Sequence, residues 1–578
     1  MDNINPRSTK NLKPKARAKT SHLQYTGHIK LLGLGASDTD QRFIKLRLSK
    51  ANGGDIETVE RIDNLRDRGA ADSMIKRLNG MGAHLITDAA ARELLQRIQD
   101  VGPQDPSFYV ATQVGWRGKV FIRPDQIIGA KKCSLERYFG DIPVEIAGKY
   151  DTRGTLDGWQ EIGRLARGNS RFMLALSLSL VGPLGDILNV EQPAFQLVGE
   201  GQSGKTGIFI AAGSVWGRHV DRNRARSTGF GETWNSTANA LEPIAAAHSH
   251  TFLPLEETRS SEPSRGLRLQ TILDIAFRLE RSVEKGRLTS TSVRSWWVPV
   301  LSTSNKSLDE MAKDEDVVLD EAYRSRLIDV PLPVKDSAFE NLHNFRDKTA
   351  FTKQLLKLSR LHFGWAALTF LERLVAWRCR NAAELRGWLR GRRRIYLREA
   401  HEIVSSGRDL SRFHEKFATV YAAGCLGIKF GLFPWTRTEL FEALLSCERA
   451  HVEHVEKFLG KAAANEPLAA LCTYIRDHHK ELRDLRDGLL EQHDNPSEYL
   501  GFINEHDGKL EFLLLDEAFE KIAGRKALAQ RLKRELFDKN LLDTTAGGEQ
   551  GTRYVVKRRL VDGKGRQSVI AVSATILS

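Results

Sequence analysis

An apolar, strand-like run that leads straight into a glycine-rich loop and then a helix constrains the fold of this chain more than any other feature. Residues 194–198 (Ala-Phe-Gln-Leu-Val) have the length and apolar character of a buried strand. Residues 199–206 follow the pattern GxxxxGK[ST], and a helical stretch over 207–213 comes next. This context predicts a phosphate-binding loop in an α/β core, because glycines let backbone N–H groups turn inward around an anion at the positive end of a helix.

The residue types in this loop indicate which ligand it would hold. Lys205 offers a positive charge to the β- and γ-phosphates, and the Thr206 hydroxyl is a ligand for Mg²⁺. We therefore expect ATP with Mg²⁺ as the cofactor, against the alternative of a glycine-rich turn that binds nothing. The predicted nucleotide-binding residues are Gly199, Gly201, Ser203, Gly204, Lys205 and Thr206.

Two carboxylates follow the next strand-like run. Residues 252–255 (Phe-Leu-Pro-Leu) lead into Glu256 and Glu257. We expect Glu256 to hold the Mg²⁺ shell and Glu257 to polarise the attacking water, which is the arrangement that hydrolysis requires. Glu256 stands where Asp is commoner, and Pro254 interrupts the run. Solvated acids at a strand end are therefore the alternative.

Polar and basic residues come at the ends of two further elements. The apolar run 296–301 leads into Ser-Thr-Ser-Asn, and Asn305 is the predicted residue that holds the lytic water against the γ-phosphate. A plain loop cap is the alternative for this residue. Arg326, with Arg324 as the second choice, precedes the apolar run 327–332. An arginine at a subunit edge can stabilise transition-state charge on a neighbour's nucleotide, whereas an ordinary surface salt bridge is the other interpretation.

These four elements, in this order and spacing, resemble those of the AAA+ and superfamily III helicases, and residues 298–305 resemble the superfamily III sensor motif that ends a strand in Thr-Ser-Asn. Over about residues 25–335 the chain also resembles domain-of-unknown-function family 927 of bacterial mobile elements and phages. The resemblance implies an ATPase of mobile-element replication. The matching blocks are Gly115-Trp116-Arg117, Gly129, Gly154-Thr155-Leu156 with Trp159, Gly168-Asn169, Ala211 to Gly217, Trp234, Asn239 and Leu241-Glu242.

The charge balance favours polyanionic partners. Lys and Arg number 87 against 73 Asp and Glu, which leaves a net charge of +14. Between the acidic strand and the sensor strand, superfamily III helicases carry a hairpin that grips DNA in the pore of the ring. The resemblance therefore places Lys285 and Arg287 at such a hairpin, with a solvated basic turn as the alternative.

A second basic region lies further along the chain. Residues 378–398 carry eight arginines interleaved with aromatic residues, and Arg392, Arg393 and Arg394 are the predicted nucleic-acid contacts. Guanidinium groups neutralise phosphates, and aromatic faces stack on unpaired bases. The alternative is that the aromatic residues belong to the core and the arginines pair with acids elsewhere.

The order of patterns predicts an α/β P-loop NTPase core with an AAA+-like parallel sheet, accompanied by an α+β N-terminal domain, a helical domain and a C-terminal winged-helix-like domain. The winged-helix expectation comes from a strand, two helices and a strand pair between 511 and 578, and such domains bind DNA or proteins. The predicted segments are a basic disordered tail 1–25, the N-terminal domain 26–150, the ATPase domain 151–335, the helical basic domain 336–495 and the winged-helix-like domain 496–578.

Composition excludes several other classes. The five cysteines form no CxxC pair, which argues against a disulfide framework or a cysteine-based zinc site and favours a reducing, cytoplasmic location. The longest apolar stretch, 172–184, is shorter than the ~20 residues that span a bilayer, so we expect no membrane contact. His451 and His454 are predicted to lie on a solvated helix face rather than to bind a metal.

Together these features predict an ATP-dependent DNA helicase or translocase of a mobile element or phage that acts on single-stranded DNA as a ring homo-oligomer, with a hexamer among the options. A primase or another replication protein is a candidate partner. The alternative is a DNA-binding ATPase switch that recruits replication or defence partners without translocation. RNA as the polymer is the third possibility.

Overall fold

The chain divides into two units, Met1–Val144 and Glu145–Ser578. The basic tail 1–25 and three predicted site residues, Glu257, Lys285 and Arg287, lie outside the residues that the structure describes. The computed structural model describes residues 29–37, 41–49, 54–62, 65, 67–83, 88–101, 105–129, 135–137, 148–218, 230–234, 238–256, 265–281, 295–315, 317, 319–334, 336–404, 409–463, 467–524, 526–544 and 554–577.

The N-terminal unit is built on a sheet with the strand order β3-β2-β1-β4-β8 and a smaller antiparallel sheet β5-β6-β7. Alternating apolar residues of β2 point into a core shared with both helices, where Ile44, Leu46 and Leu48 are at most 1% exposed. The elements are β1 Ile29–Ser37, β2 Arg42–Ser49, β3 Asp55–Arg61, α1 Arg68–Gly80, α2 Asp88–Asp100, β4 Phe108–Ala111, β5 Gly115–Arg117, β6 Val120–Ile122, β7 Ile127–Ile128 and β8 Leu135–Arg137.

The second unit contains a parallel sheet whose central strands are buried. Its strand order is β10-β11-β12-β9-β13, and all neighbouring pairs are parallel. Apolar runs such as 194–198 form its strands because both faces of the sheet are covered. The elements are α3 Leu156–Ala166, α4 Ser170–Leu178, α5 Gly185–Leu188, β9 Ala194–Val198, α6 Lys205–Ser214, β10 Glu232–Thr233, α7 Ala238–Ala247, β11 Leu253–Glu256, α8 Arg265–Arg281, β12 Val300–Ser304, α9 Leu308–Asp314, α10 Glu321–Arg326 and β13 Ile328–Pro331.

Five helices follow the parallel sheet, and part of their surface packs against it. The rings of Phe195 in the sheet and Phe417 in the third of these helices have centroids 4.8 Å apart. The second and longest helix is interrupted at Asn381, where φ is −157° and ψ is 91°. The helices are α11 Lys348–Leu361, α12 Trp365–Ile403, α13 Ser411–Lys429, α14 Arg437–Ala463 and α15 Pro467–His478.

The C-terminal part of the second unit is a mixed sheet with the order β14-β15-β16-β18-β17, covered by two helices. Gly524 ends the first of these helices with a φ of +87°, a value that favours glycine and allows a tight connection to the second helix. The elements are β14 Arg483–Asp484, β15 Phe502–His506, β16 Lys509–Leu514, α16 Asp516–Ala523, α17 Lys526–Asp538, β17 Val556–Arg558 and β18 Gln567–Ser573.

Among the described residues no single helix is long and apolar enough to cross a bilayer, although the bent pair Ser170–Leu178 and Gly182–Leu188, which meet at 52°, reaches that length and composition together.

Candidate nucleotide site and nucleic-acid contacts

The carboxyl ends of three parallel strands meet at one edge of the central sheet. Glu256 of β11 is in register with Thr303 of β12, and Ser304 of β12 is in register with Val198 of β9. The glycine-rich loop, the acidic strand and the sensor strand are separated by about 50 residues each along the chain, which is compatible with parallel strands joined by crossovers. Their tips therefore lie side by side.

The loop between β9 and α6 needs glycine at its last position. Gly204 has a φ of +100°, in the left-handed region that side-chain-bearing residues rarely adopt. A Cβ atom at this position would lie 2.4 Å from Cε2 of Phe339, which is closer than such atoms approach. Both the backbone conformation and the available space therefore require Gly204.

Lys205 begins α6 and points back over the loop. The residue is 7% exposed. Its Nζ donates to the carbonyl oxygen of Glu200 at 2.7 Å and lies 3.3 Å from both Ser203 Oγ and Asn305 Oδ1. Lys205 and Asn305, two residues that the sequence predicted for the same site, are thus in contact although 100 positions separate them.

Thr206 and Glu256 bring a hydroxyl and a carboxylate together. Thr206 Oγ1 donates to Glu256 Oε1 at 3.2 Å, and both side chains are partly exposed. Oxygen donors of this kind suit Mg²⁺, which usually takes one or two carboxylates and completes its shell with phosphate and water oxygens. Within the described ranges no group of three or more His, Cys, Asp or Glu side chains could hold a metal by itself.

A cavity of about 500 Å³ opens at these strand ends. It contains Lys205, Thr206, Glu256 and Asn305, together with residues from the start of α11. Its volume falls in the range of ligand pockets, about 300–1,000 Å³. Loop amides, a lysine, a hydroxyl and a carboxylate line one wall, a donor set that fits a triphosphate with Mg²⁺.

Sequence reasoning missed the contribution of α11 to this cavity. The N-cap of this helix, Asp347, accepts a hydrogen bond from Ala350 N at 2.8 Å, which holds the pKa of Asp347 below its usual range. The only local signal was this cap before a helical pattern, and it does not reveal where the helix packs. The α11 residues that line the cavity are Lys348, Thr349, Thr352, Lys353 and Leu356.

A row of buried polar side chains, which we call the polar row, crosses the sheet below the cavity. Trp234 Nε1 donates to Ser302 Oγ at 2.8 Å, Ser302 Oγ donates to Gln196 Oε1 at 3.0 Å, and Gln196 Nε2 donates to Asp329 Oδ1 at 2.8 Å. Asp329 Oδ2 accepts from Leu308 N at 2.7 Å. Burial raises the pKa of Asp329 to about 7. The polar row therefore connects β12, β9 and β13 with the first residue of α9.

The two predicted arginines of α10 have partners within their own chain. Arg324 is buried, and its Nη2 lies 2.7 Å from Asp309 Oδ1. Arg326 forms an ion pair with Glu280, and its guanidinium lies 4.9 Å from the centroid of the Phe277 ring. Neither arginine lines the cavity. Their role at a neighbour's nucleotide stays a prediction.

The predicted nucleic-acid arginines lie in the second half of α12. Arg394 is exposed, Arg393 forms an ion pair with Glu415, and the Arg392 guanidinium lies 5.6 Å from the centroid of the Trp388 ring. Tyr396 is fully buried, which agrees with the interpretation of this aromatic residue as core. Binding of nucleic acid by these arginines stays a prediction.

Comparison with known proteins supports part of the sequence interpretation. Residues 18–278 match the model of a family described as "Domain of unknown function (DUF927)". The predicted resemblance to this family is confirmed over that segment. No curated protein matches the chain.

Solved structures match the chain with different degrees of similarity. SCCmec type IV Cch, an active helicase, is 14% identical, with 95% of this chain and 94% of that chain covered at a TM-score of 0.56. NtrX from Brucella abortus in complex with ATP is also 14% identical, with 48% of this chain and 67% of that chain covered, but the TM-score of 0.18 is too low to indicate a common arrangement. The chain therefore has a mixed α/β fold similar to that of a helicase.

Proposed function

We propose that this chain is an ATP-dependent DNA helicase or translocase of a mobile element or phage. The observation that carries the proposal is the convergence of Lys205, Thr206, Glu256 and Asn305 at one cavity on the carboxyl edge of a parallel sheet. In open α/β sheets, ligands bind outside the carboxyl ends of the strands. The similarity of the whole fold to SCCmec type IV Cch, an active helicase, supports the same conclusion.

In the proposed site the residues of the loop bind ATP. Backbone N–H groups at the amino end of α6 and the Lys205 ammonium would bind the phosphates, and a lysine at this position neutralises charge on the β- and γ-phosphates. Thr206 and Glu256 would hold Mg²⁺, which when bound neutralises charge that develops on the phosphate oxygens. Gly199, Gly201 and Ser203 shape the remaining wall of the loop.

Hydrolysis requires a base and a group that orients the attacking water. Glu257 follows Glu256 directly and is the proposed base. Asn305, whose Oδ1 lies 3.3 Å from Lys205 Nζ, is the proposed residue that holds the water. Arg326 or Arg324 of a neighbouring subunit would complete the site in a ring, so turnover would depend on assembly.

The polymer in this proposal is single-stranded DNA. The proposed contacts are Arg392, Arg393 and Arg394 of α12, together with Lys285 and Arg287. The C-terminal part, with its two helices and its sheet, is proposed to act as a winged helix. The net charge of +14 supports a polyanionic partner.

One observation favours a second function. Arg324 and Arg326 are paired with Asp309 and Glu280 of their own chain. A chain that uses both arginines internally could work without a ring, as an ATPase switch that binds DNA and recruits replication or defence partners.

The deciding experiment measures ATP binding, ATP hydrolysis and strand displacement with the same protein. Glu257→Gln should bind ATP like the wild type and lose turnover. The matched control is Glu372→Gln, which neutralises an exposed carboxylate of α12 that does not line the cavity. ATP-dependent unwinding that depends on Lys285 supports the helicase, whereas DNA-stimulated hydrolysis without unwinding supports the switch. Full turnover in Glu257→Gln would refute the assignment of the base.

A further inference from the structure

A second cavity, of about 420 Å³, lies between α12, α13 and the segment 188–191, which begins at the last residue of α5. No residue is shared between its lining and that of the nucleotide cavity. Its charged lining consists of four cationic side chains and two carboxylates. We call this cavity the basic pocket; its charged residues are Arg390, Arg393, Arg412, Lys416, Glu191 and Glu415.

Helical spacing explains why the four cationic groups face one cavity. Arg390 and Arg393 are three residues apart on α12, and Arg412 and Lys416 are four residues apart on α13. Residues at these spacings occupy the same face of a helix. Two neighbouring helices therefore each present one pair of cationic side chains to the same cavity.

The two carboxylates leave positive charge in the basic pocket. Glu415 forms an ion pair with Arg393, and Glu191 Oε1 lies 3.5 Å from Arg412 Nη2. Among the described residues Arg390 has no ion-pair partner, and the buried Nε of Arg393 has no hydrogen-bond partner. Four cationic groups against two carboxylates leave a formal charge of +2.

Lys416 is the most buried of the four cationic residues that line the basic pocket. The residue is 2% exposed, and its ammonium donates to the carbonyl oxygen of Ser325. Burial lowers the pKa of Lys416 to about 8, although Glu280 and Glu191 oppose that shift. A buried ammonium is costly unless an anion or several acceptors surround it. An anion that enters the basic pocket would supply negative charge that stabilises the Lys416 ammonium.

We propose that the basic pocket is a second phosphate site, at which Arg390, Arg393, Arg412 and Lys416 bind the oxygens of a phosphate group. Guanidinium forks match phosphate geometry, and a lysine acts as a point charge. The inference deepens the proposed nucleic-acid function and rests on it for the identity of the ligand. The phosphate belongs either to the backbone of a single strand or to a free polyphosphate.

Position gives the basic pocket a connection to the arginine-bearing helix α10. The Lys416 ammonium bonds the carbonyl oxygen of Ser325, the residue between Arg324 and Arg326. A phosphate that binds the Lys416 ammonium would therefore contact the same group that holds the backbone of α10 between the two arginines.

The test measures binding of a fluorescent oligothymidylate by anisotropy without nucleotide, over a range of salt concentrations. Arg390→Ala and Arg412→Ala remove exposed side chains, so both variants should fold, and their melting temperatures verify this. Each should weaken binding by about tenfold, and each lost contact should reduce the slope of log affinity against log salt by about 0.7. Arg449→Ala, an exposed arginine of α14 outside the basic pocket, is the charge-matched control and should change neither quantity.

A second arm separates the two sources of phosphate. Calorimetry with inorganic pyrophosphate is performed in a Lys205→Met background, which weakens the nucleotide cavity as a competing site. Loss of oligothymidylate affinity in the pocket variants identifies a strand backbone, and loss of pyrophosphate binding alone identifies a free polyphosphate. Unchanged binding in both arms overturns the inference. ATP binding by the wild type, measured separately, shows whether the proposed nucleotide function has failed instead.

Discussion

Thr206 Oγ1 lies 3.2 Å from Glu256 Oε1, so the first turn of a helix and the tip of a strand, 50 residues apart in the chain, place a hydroxyl and a carboxylate at one point. Both residues line the cavity, and such a pair of oxygen ligands suits Mg²⁺.

Removing one oxygen ligand should weaken the response to Mg²⁺. Glu256→Gln and Thr206→Ala should each raise the Mg²⁺ concentration for half-maximal ATP hydrolysis by about tenfold or more. Thr206→Ser keeps the hydroxyl and should behave like the wild type. A magnesium titration of initial rates measures the effect, and an unchanged midpoint in Glu256→Gln would contradict the metal role of that residue.

Loss of the buried lysine should abolish tight ATP binding. Lys205→Met keeps the volume of a 7% exposed side chain but removes its charge. Affinity for a fluorescent ATP analogue should fall by about tenfold to a hundredfold, because hydrogen bonds to charged groups are lost. Lys357→Met, at an exposed position of α11 outside the cavity, is the control and should bind normally.

The left-handed glycine of the loop should tolerate no side chain. Gly204→Ala should lower the free energy of unfolding by about 1–3 kcal/mol, because of its φ of +100° and the approach of Phe339. Gly387→Ala, in α12 with no atom near its added Cβ, should raise stability by about 0.5–1 kcal/mol. Denaturant unfolding measures both, and equal stability of the two variants would count against the strain argument.

The buried carboxyl of Asp329 should make stability depend on pH. Because its pKa in the folded chain is about 7, above the unfolded value of about 4, the folded state binds more protons between these two values. Its contribution to stability therefore falls as pH rises through that window. Asp329→Asn does not titrate, so its melting temperature relative to the wild type should increase from pH 5 to pH 8. A difference in melting temperature that stays constant from pH 5 to pH 8 would show that Asp329 is already ionised at pH 5 in the folded protein.

A subunit mixture should test the α10 arginine. The Arg326→Ala protein keeps the phosphate-binding loop and the acids, and the Lys205→Met protein keeps Arg326. If Arg326 acts on the nucleotide of a neighbouring subunit, mixing these two inactive proteins should restore part of the ATPase rate. The opposing case is that Arg326 acts only through its ion pair with Glu280 of the same chain. In that case mixing restores nothing, and the ring hypothesis loses its main support.

Short-range pattern was enough to predict that the elements of the candidate site exist, but not all of their bounds, since β12 runs over Val300–Ser304 and not over the apolar run 296–301. The run 194–198 is strand β9, and the strands before Glu256 and Asn305 end at or next to those residues. Each of these predictions depended on a few neighbouring residues, namely an apolar run followed by glycine, by an acid or by short polar residues. That the three strand ends meet follows from parallel pairing, which the alternation of strands and helices already indicated.

Long-range packing could not be predicted in the same way. His451 was expected on a solvated helix face, but it is buried and its Nδ1 lies 2.8 Å from the carbonyl oxygen of Asp329. The expectation was wrong because helical spacing does not reveal which face meets the sheet. For the same reason the lining contributed by Lys348 and Thr352 of α11 was missed.

The polar row fixes the alignment of the strands whose ends form the cavity. Ser302 and Asp329 are both in register with Gln196, two positions before the strands end. Unlike apolar contacts, these directional bonds are satisfied at a single alignment, and a slip of one residue would leave several buried groups unpaired. A substitution here could therefore abolish the proposed ATPase activity by shifting one strand tip against the next, with Lys205, Thr206, Glu256 and Asn305 all still present.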